Sequence, residues 1–111
     1  MKTEDRKAAV AAYKERKAVP GVFAVRCPAT GAVWVGHAAD LATIRNRIWF
    51  TLDHGSHRTL SLQAAWNAHG TDGLSFEELE RIEPDQPAYA RDRALKDRTA
   101  AWREELGAAA I

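Results

Sequence analysis

Apolar residues recur along this chain in two rhythms, one helical and one of short continuous runs. Over residues 4–17, Ala8, Ala9, Ala11 and Ala12 are strong helix formers, and Val10, Tyr13 and the lysine stems supply a modest apolar stripe. A helix is expected there, ended by Val19-Pro20-Gly21. Two apolar runs follow, Val19 to Arg26 and Ala32-Val33-Trp34-Val35-Gly36, separated by Cys27-Pro28-Ala29-Thr30-Gly31. Proline fixes φ and glycine accepts positive φ, so the spacer reads as a turn and the pair as a β-hairpin over 21–27 and 32–37. Helical spacing then returns. Leu41, Ile44, Ile48 and Leu52 predict a helix from Ala39 to Asp53 with Asp40 as N-cap. His54-Gly55-Ser56 stops it, Thr59 can cap the next helix, and His69-Gly70 closes that one. Leu74 to Ile82 fits either a helix or a strand by composition. After Glu83-Pro84-Asp85-Gln86-Pro87, residues 88–106 predict a last helix stopped by Gly107, with Tyr89, Leu95, Trp102 and Leu106 as candidate core contacts.

The chain has 111 residues, enough for one domain with a single modest core, in which a basic helix over 1–18 precedes a domain over 19–111. No apolar stretch is long enough to span a bilayer, and no apolar signal core follows Met1-Lys2-Thr3-Glu4-Asp5-Arg6. The single cysteine, Cys27, has no intrachain disulfide partner and no second thiolate for a zinc site, which points to a cytoplasmic protein. The net charge of +1 conceals a gradient. The balance is +3 over residues 1–18, +2 over 19–70, −5 over 71–89 and +1 over the remainder. Positive charge in the first two thirds suits a phosphate-facing surface, although ordinary solvated helix faces also carry such charges.

The motifs Gly21-Val22-Phe23 and Trp34-Val35-Gly36 lie on the two strands of the expected hairpin. A basic helix follows, then Leu62-Gln63-Ala64-Ala65-Trp66-Asn67-Ala68-His69-Gly70, then Phe76-Glu77-Glu78-Leu79-Glu80. This order resembles the GIY-YIG nuclease superfamily, named for its two tripeptides. The resemblance covers most of residues 20–106. It implies a mixed α/β protein of the α+β type, a small three-stranded antiparallel sheet flanked by helices in the order α-β-β-α-α-β-α, with residues 74–82 as the third strand. It also implies an endonuclease acting on DNA by metal-assisted phosphodiester hydrolysis, with Mg2+ or Mn2+ as cofactor. In that superfamily a tyrosine of each motif lies near the scissile phosphate, a helix arginine binds it, and a later glutamate holds one metal ion.

This chain departs from that pattern at chemically demanding places. Phe23 has no hydroxyl, and Trp34 offers an N–H donor but no acceptor. The usual arginine falls near Ile44. Arg47 lies nearly one turn further along the same side as Asp40 and Ile44 and is the first choice for the phosphate, with Arg45 the second. Thr99 stands where the glutamate is expected, so the metal ligand is unknown. His37, directly after the second motif, is the best-placed imidazole for a general base. His57 and Arg58 are candidates for contacting nucleic acid. Asp53, His54 and His57 are close enough in sequence to suggest a transition-metal site, although their spacing matches no named zinc motif. Two readings stay open, a nuclease with a rearranged site and a nuclease fold that binds nucleic acid or a protein without cutting.

Overall fold

A computed structural model describes residues 18–111. The helix expected over 4–17 lies outside the described residues. Strands β1 (Gly21–Cys27) and β2 (Ala32–Ala38) form the hairpin, with Gly21 opposite Ala38 and Cys27 opposite Ala32. The turn closes as its residues dictate. The amides of Thr30 and Gly31 donate to the Cys27 carbonyl at 3.2 and 2.8 Å, and Gly31 has a φ of +74°. Helix α1 (Leu41–Asp53) follows, then α2 (Leu60–His69), a 3-10 turn (Thr71–Gly73), strand β3 (Ser75–Arg81), helix α3 (Ala88–Leu106) and a short strand β4 (Ala109–Ala110).

Among the described residues the sheet has four strands in the order β3-β1-β2-β4. β1 is antiparallel to both neighbours, whereas β4 runs parallel to β2. The three-stranded expectation missed β4, because two alanines carry no strand pattern. Its register pairs Trp34 with Ala109 and Val35 with Ala110. Just before β4, the Arg103 guanidinium donates to the Val35 carbonyl at 2.9 Å.

Alternation along β1 and β2 makes two cores. Phe23, Val25, Cys27, Trp34 and Ala38 face α1 and α2, where Leu41, Ile48, Leu52 and Leu62 meet them. Val22, Ala24 and Val35 form the other core, against which Trp102 and Leu106 of α3 and Leu79 of β3 pack. Each valine, leucine, isoleucine or phenylalanine among them contributes about 1.5–3 kcal/mol on burial. Tyr89, a candidate core contact by sequence, is instead 78% exposed.

Both motif glycines are needed for space. A Cβ on Gly21 would collide with the Glu80 carbonyl and the Leu41 side chain. A Cβ on Gly36 would collide with Ile111 and press on the Phe23 ring, which lies directly opposite in the register.

β3 is an edge strand rich in glutamate, and charge on an edge discourages pairing with other chains. Between Val22 and Phe23 its register shifts, so that Val22 meets Glu80 and Phe23 meets Glu78. Leu79 is the extra residue, and the bulge turns both Leu79 and Glu80 toward α3. There one Glu80 oxygen accepts from Arg98 at 2.8 Å and from the Trp102 indole at 2.9 Å. Burial raises the Glu80 pKa, but these two hydrogen bonds and the Arg98 charge outweigh it and hold the carboxyl below its ordinary value.

Candidate functional site

The end of β2, helix α1, the loop after α1 and helix α3 enclose a cleft of about 610 Å³. β2 contributes His37. Along α1, Asp40, Ile44, Arg47 and Thr51 recur at the spacing that keeps one helical face, and all four line the cleft. Asp40 also caps the helix, its carboxylate accepting from the Ala42 amide at 3.0 Å. The loop supplies His57 and Arg58, and α3 supplies Asp92 and Leu95.

The loop that carries His57 is wound onto the end of α1. The amides of His54, Gly55 and Ser56 donate to the carbonyls of Phe50, Leu52 and Thr51 at 3.2, 3.0 and 2.9 Å. The main-chain N–H of His57 donates to the Gln63 side-chain oxygen at 3.1 Å. The Thr59 amide donates to His57 Nδ1 at 3.0 Å, so the ring proton of the neutral imidazole sits on Nε2. Burial pushes the His57 pKa below its ordinary value, and the neighbouring Arg58 charge pushes the same way. Thr59 occupies the N-cap position of α2 as expected, but its hydroxyl makes no capping bond.

Four of the seven side chains singled out by sequence therefore meet in one place, namely His37, Arg47, His57 and Arg58. The other three do not. Phe23 is 1% exposed and stacks on Phe76 with ring centroids 5.3 Å apart. Trp34 is buried, and its indole N–H donates to the Ser61 hydroxyl at 2.9 Å. Arg45 lies over the Trp49 ring, 5.4 Å from its centroid. Arg47 and Arg58 are exposed and form no ion pair among the described residues. Among the described residues, two guanidiniums and two carboxylates line the cleft, so their formal charges balance with histidines neutral. Its chemical character comes from directed N–H donors rather than from a net field.

The position expected to hold a metal does not fit one. Thr99 is buried, its hydroxyl donates to the Leu95 carbonyl of its own helix, and it supplies no carboxylate for a cation. Among the described residues, no three of His, Cys, Asp or Glu come together as a ligand set. His54 bonds the Phe50 carbonyl through Nδ1 at 2.8 Å, and His57 Nδ1 is taken by Thr59. Residues Asp92 and Gln63, both part of the site or its support, were not singled out by sequence. A buried glutamine in a helix gives no pattern, although its place after Leu62 in a recognisable stretch was a usable signal.

No protein-family model matches the chain, and no curated protein matches it. Solved structures do. The chain is similar to the catalytic domain of the homing endonuclease I-TevI, with 25% identity and a TM-score of 0.70 over 83% of this chain and 97% of that one. It is also similar to a glutamate-to-alanine mutant of the catalytic domain of intron endonuclease I-TevI, with 26% identity and a TM-score of 0.68 over 80% of this chain and 84% of that one. No helix among the described residues is long and apolar enough to cross a membrane. With its strand order, its paired motif glycines and these neighbours, the chain has a fold similar to that of the GIY-YIG nuclease catalytic domain.

Proposed function

We propose that this chain binds the phosphodiester backbone of DNA in the cleft at the end of β2, without cutting it. The observation that carries this reading is the convergence of Arg47 and Arg58, neither in an ion pair among the described residues, with His57 on one cleft of a nuclease-like fold. A guanidinium presents a planar fork of donors that matches phosphate oxygens, and a neutral imidazole adds a third donor without a charge to desolvate. The loss of cleavage is supported by Phe23, Trp34, Ile44 and Thr99, which place no hydroxyl base, arginine or carboxylate where the superfamily's chemistry needs one. A cytoplasmic setting belongs to this reading and is supported by a lone, buried, free thiol.

A second reading, an endonuclease with a rearranged site, is favoured by one observation. His37 is exposed at the cleft edge and its ring makes no hydrogen bond among the described residues, which leaves it available as a general base.

Labelled single- and double-stranded DNA, incubated with Mg2+, with Mn2+ and with chelator, separates the two. The binding reading expects intact DNA in all three conditions and salt-sensitive association that is weakened in Arg47→Ala. Metal-dependent scission abolished by His37→Ala would establish the second reading instead. Absence of both scission and association would refute each.

A further inference from the structure

Gln63 is one of two buried polar side chains among the described residues, the other being Thr99. Burying an amide is costly unless its groups are paired. Gln63 pairs three of them. Its oxygen accepts from the His57 main-chain N–H at 3.1 Å, and its nitrogen donates to the Leu52 carbonyl and to Asn67 Oδ1, both at 3.0 Å. It thereby ties together the last turn of α1, the loop after it, and α2. The Leu52 carbonyl already accepts from Gly55, so the end of α1 is capped without Gln63. What Gln63 alone provides is an acceptor for the His57 amide.

We propose that Gln63 is a positioning residue that pins the main chain of His57, so that the Thr59 amide reaches Nδ1 and the cleft receives a neutral imidazole whose one donor is Nε2–H. The functional weight of this assignment rests on the phosphodiester reading above, but the geometry it asserts belongs to the free protein. Two hydrogen bonds fix the residue from both sides, one at the main-chain nitrogen and one at the ring. With the main chain released, the ring is free to turn away from Thr59, and the proton is free to move between Nδ1 and Nε2. A cleft that recognises phosphate through Nε2–H would then offer a lone pair to an anion for part of the time.

The test reads the ring itself. Long-range proton–nitrogen NMR spectra distinguish the two neutral tautomers of His57 in the absence of DNA. The wild type is expected to show the Nε2–H form alone. Gln63→Met keeps a similar volume without an acceptor and should give a mixture. Gln63→Glu retains an oxygen for the His57 amide and should restore the single form. Thr59→Pro removes the ring's partner directly, at a φ of −82° that proline tolerates, and should also give a mixture even if the Gln63 variants fold poorly. DNA affinity should fall about five- to tenfold in Gln63→Met, the range for one positioned hydrogen bond. A single Nε2–H form persisting in Gln63→Met, or a mixture in the wild type, would overturn the assignment. Mixing in Gln63→Met alongside a wild type that fails to bind DNA would support the positioning role and refute the phosphodiester reading.

Discussion

Arg47 and Arg58 carry the cleft's positive charge, and their substitutions separate a phosphate site from a solvated surface. Arg47→Ala should weaken DNA binding about ten- to a hundredfold, the span for a charged hydrogen bond, measured by fluorescence anisotropy at fixed salt. Arg47→Lys should recover only part of this, because an ammonium lacks the planar fork. Asp92→Asn removes a cleft carboxylate and should tighten binding in the same assay. His57 answers to pH in a definite direction. Its folded pKa lies below its unfolded one, so its contribution to stability is full above the ordinary histidine value and is lost as pH falls through the lowered folded value. Protonation on Nδ1 must displace the Thr59 amide, and it adds charge where Arg58 and Arg47 already stand, opposed by Asp40 and Asp92 and joined by His37. An NMR titration should find the His57 midpoint below the ordinary value, and a midpoint above it would contradict the geometry.

Single elements show why some of this was legible in the sequence. Asp40 was readable as an N-cap because capping is local, needing only a short acceptor before an apolar-periodic run. Asp40→Ala should cost about 1 kcal/mol of stability, seen as a lower denaturation midpoint in urea. The hairpin was readable because turn chemistry and β-branched runs coincide. The placement of Arg47, Ile44 and Asp40 on one face followed from helical spacing alone. Other features depend on contacts distant in sequence. β3 fits a helix or a strand by composition and becomes a strand, as the resemblance implied, because β1 offers a free edge and a place for Phe76 against Phe23. β4 exists because the chain turns back after Gly107 along β2. Gln63 has three partners within eleven residues, yet its importance is visible only when the loop is folded. Tyr89 fits a helical apolar stripe, but α3 starts before it meets the sheet. Gly36→Ala belongs at this scale too. It should destabilise by about 1–3 kcal/mol through overpacking, because Ile111 and the Phe23 ring already fill the space above the strand.

Across the molecule, charge is segregated. The acidic stretch over 71–89 contributes no residue to the cleft. Much of it is held by α3 and by strand partners, as in Arg26 with Glu77 at 3.0 Å and Arg98 with Glu80 at 2.8 Å. Glu80 titrates below its ordinary value, so its stabilisation is complete above the unfolded carboxylate pKa and disappears as pH falls through the folded value. Glu80→Gln should therefore be less stable than wild type at pH 7, with the gap closing in acid. With two guanidiniums available to phosphates, the logarithm of DNA affinity should fall with the logarithm of salt at a slope of about −2, and a flat response would exclude backbone recognition. The two ends of the hairpin also give the molecule an internal clock. The cleft lies at the Ala38 end of β2, while Cys27 sits buried at the turn end, opposite Ala32. A thiol reagent reaches that lone sulfur only when the sheet breathes open. If the whole sheet must open, DNA seated at one end should slow labelling at the other in proportion to its occupancy. If only the turn frays, the labelling rate will ignore DNA, and the two ends of a seven-residue strand will have been shown to open separately.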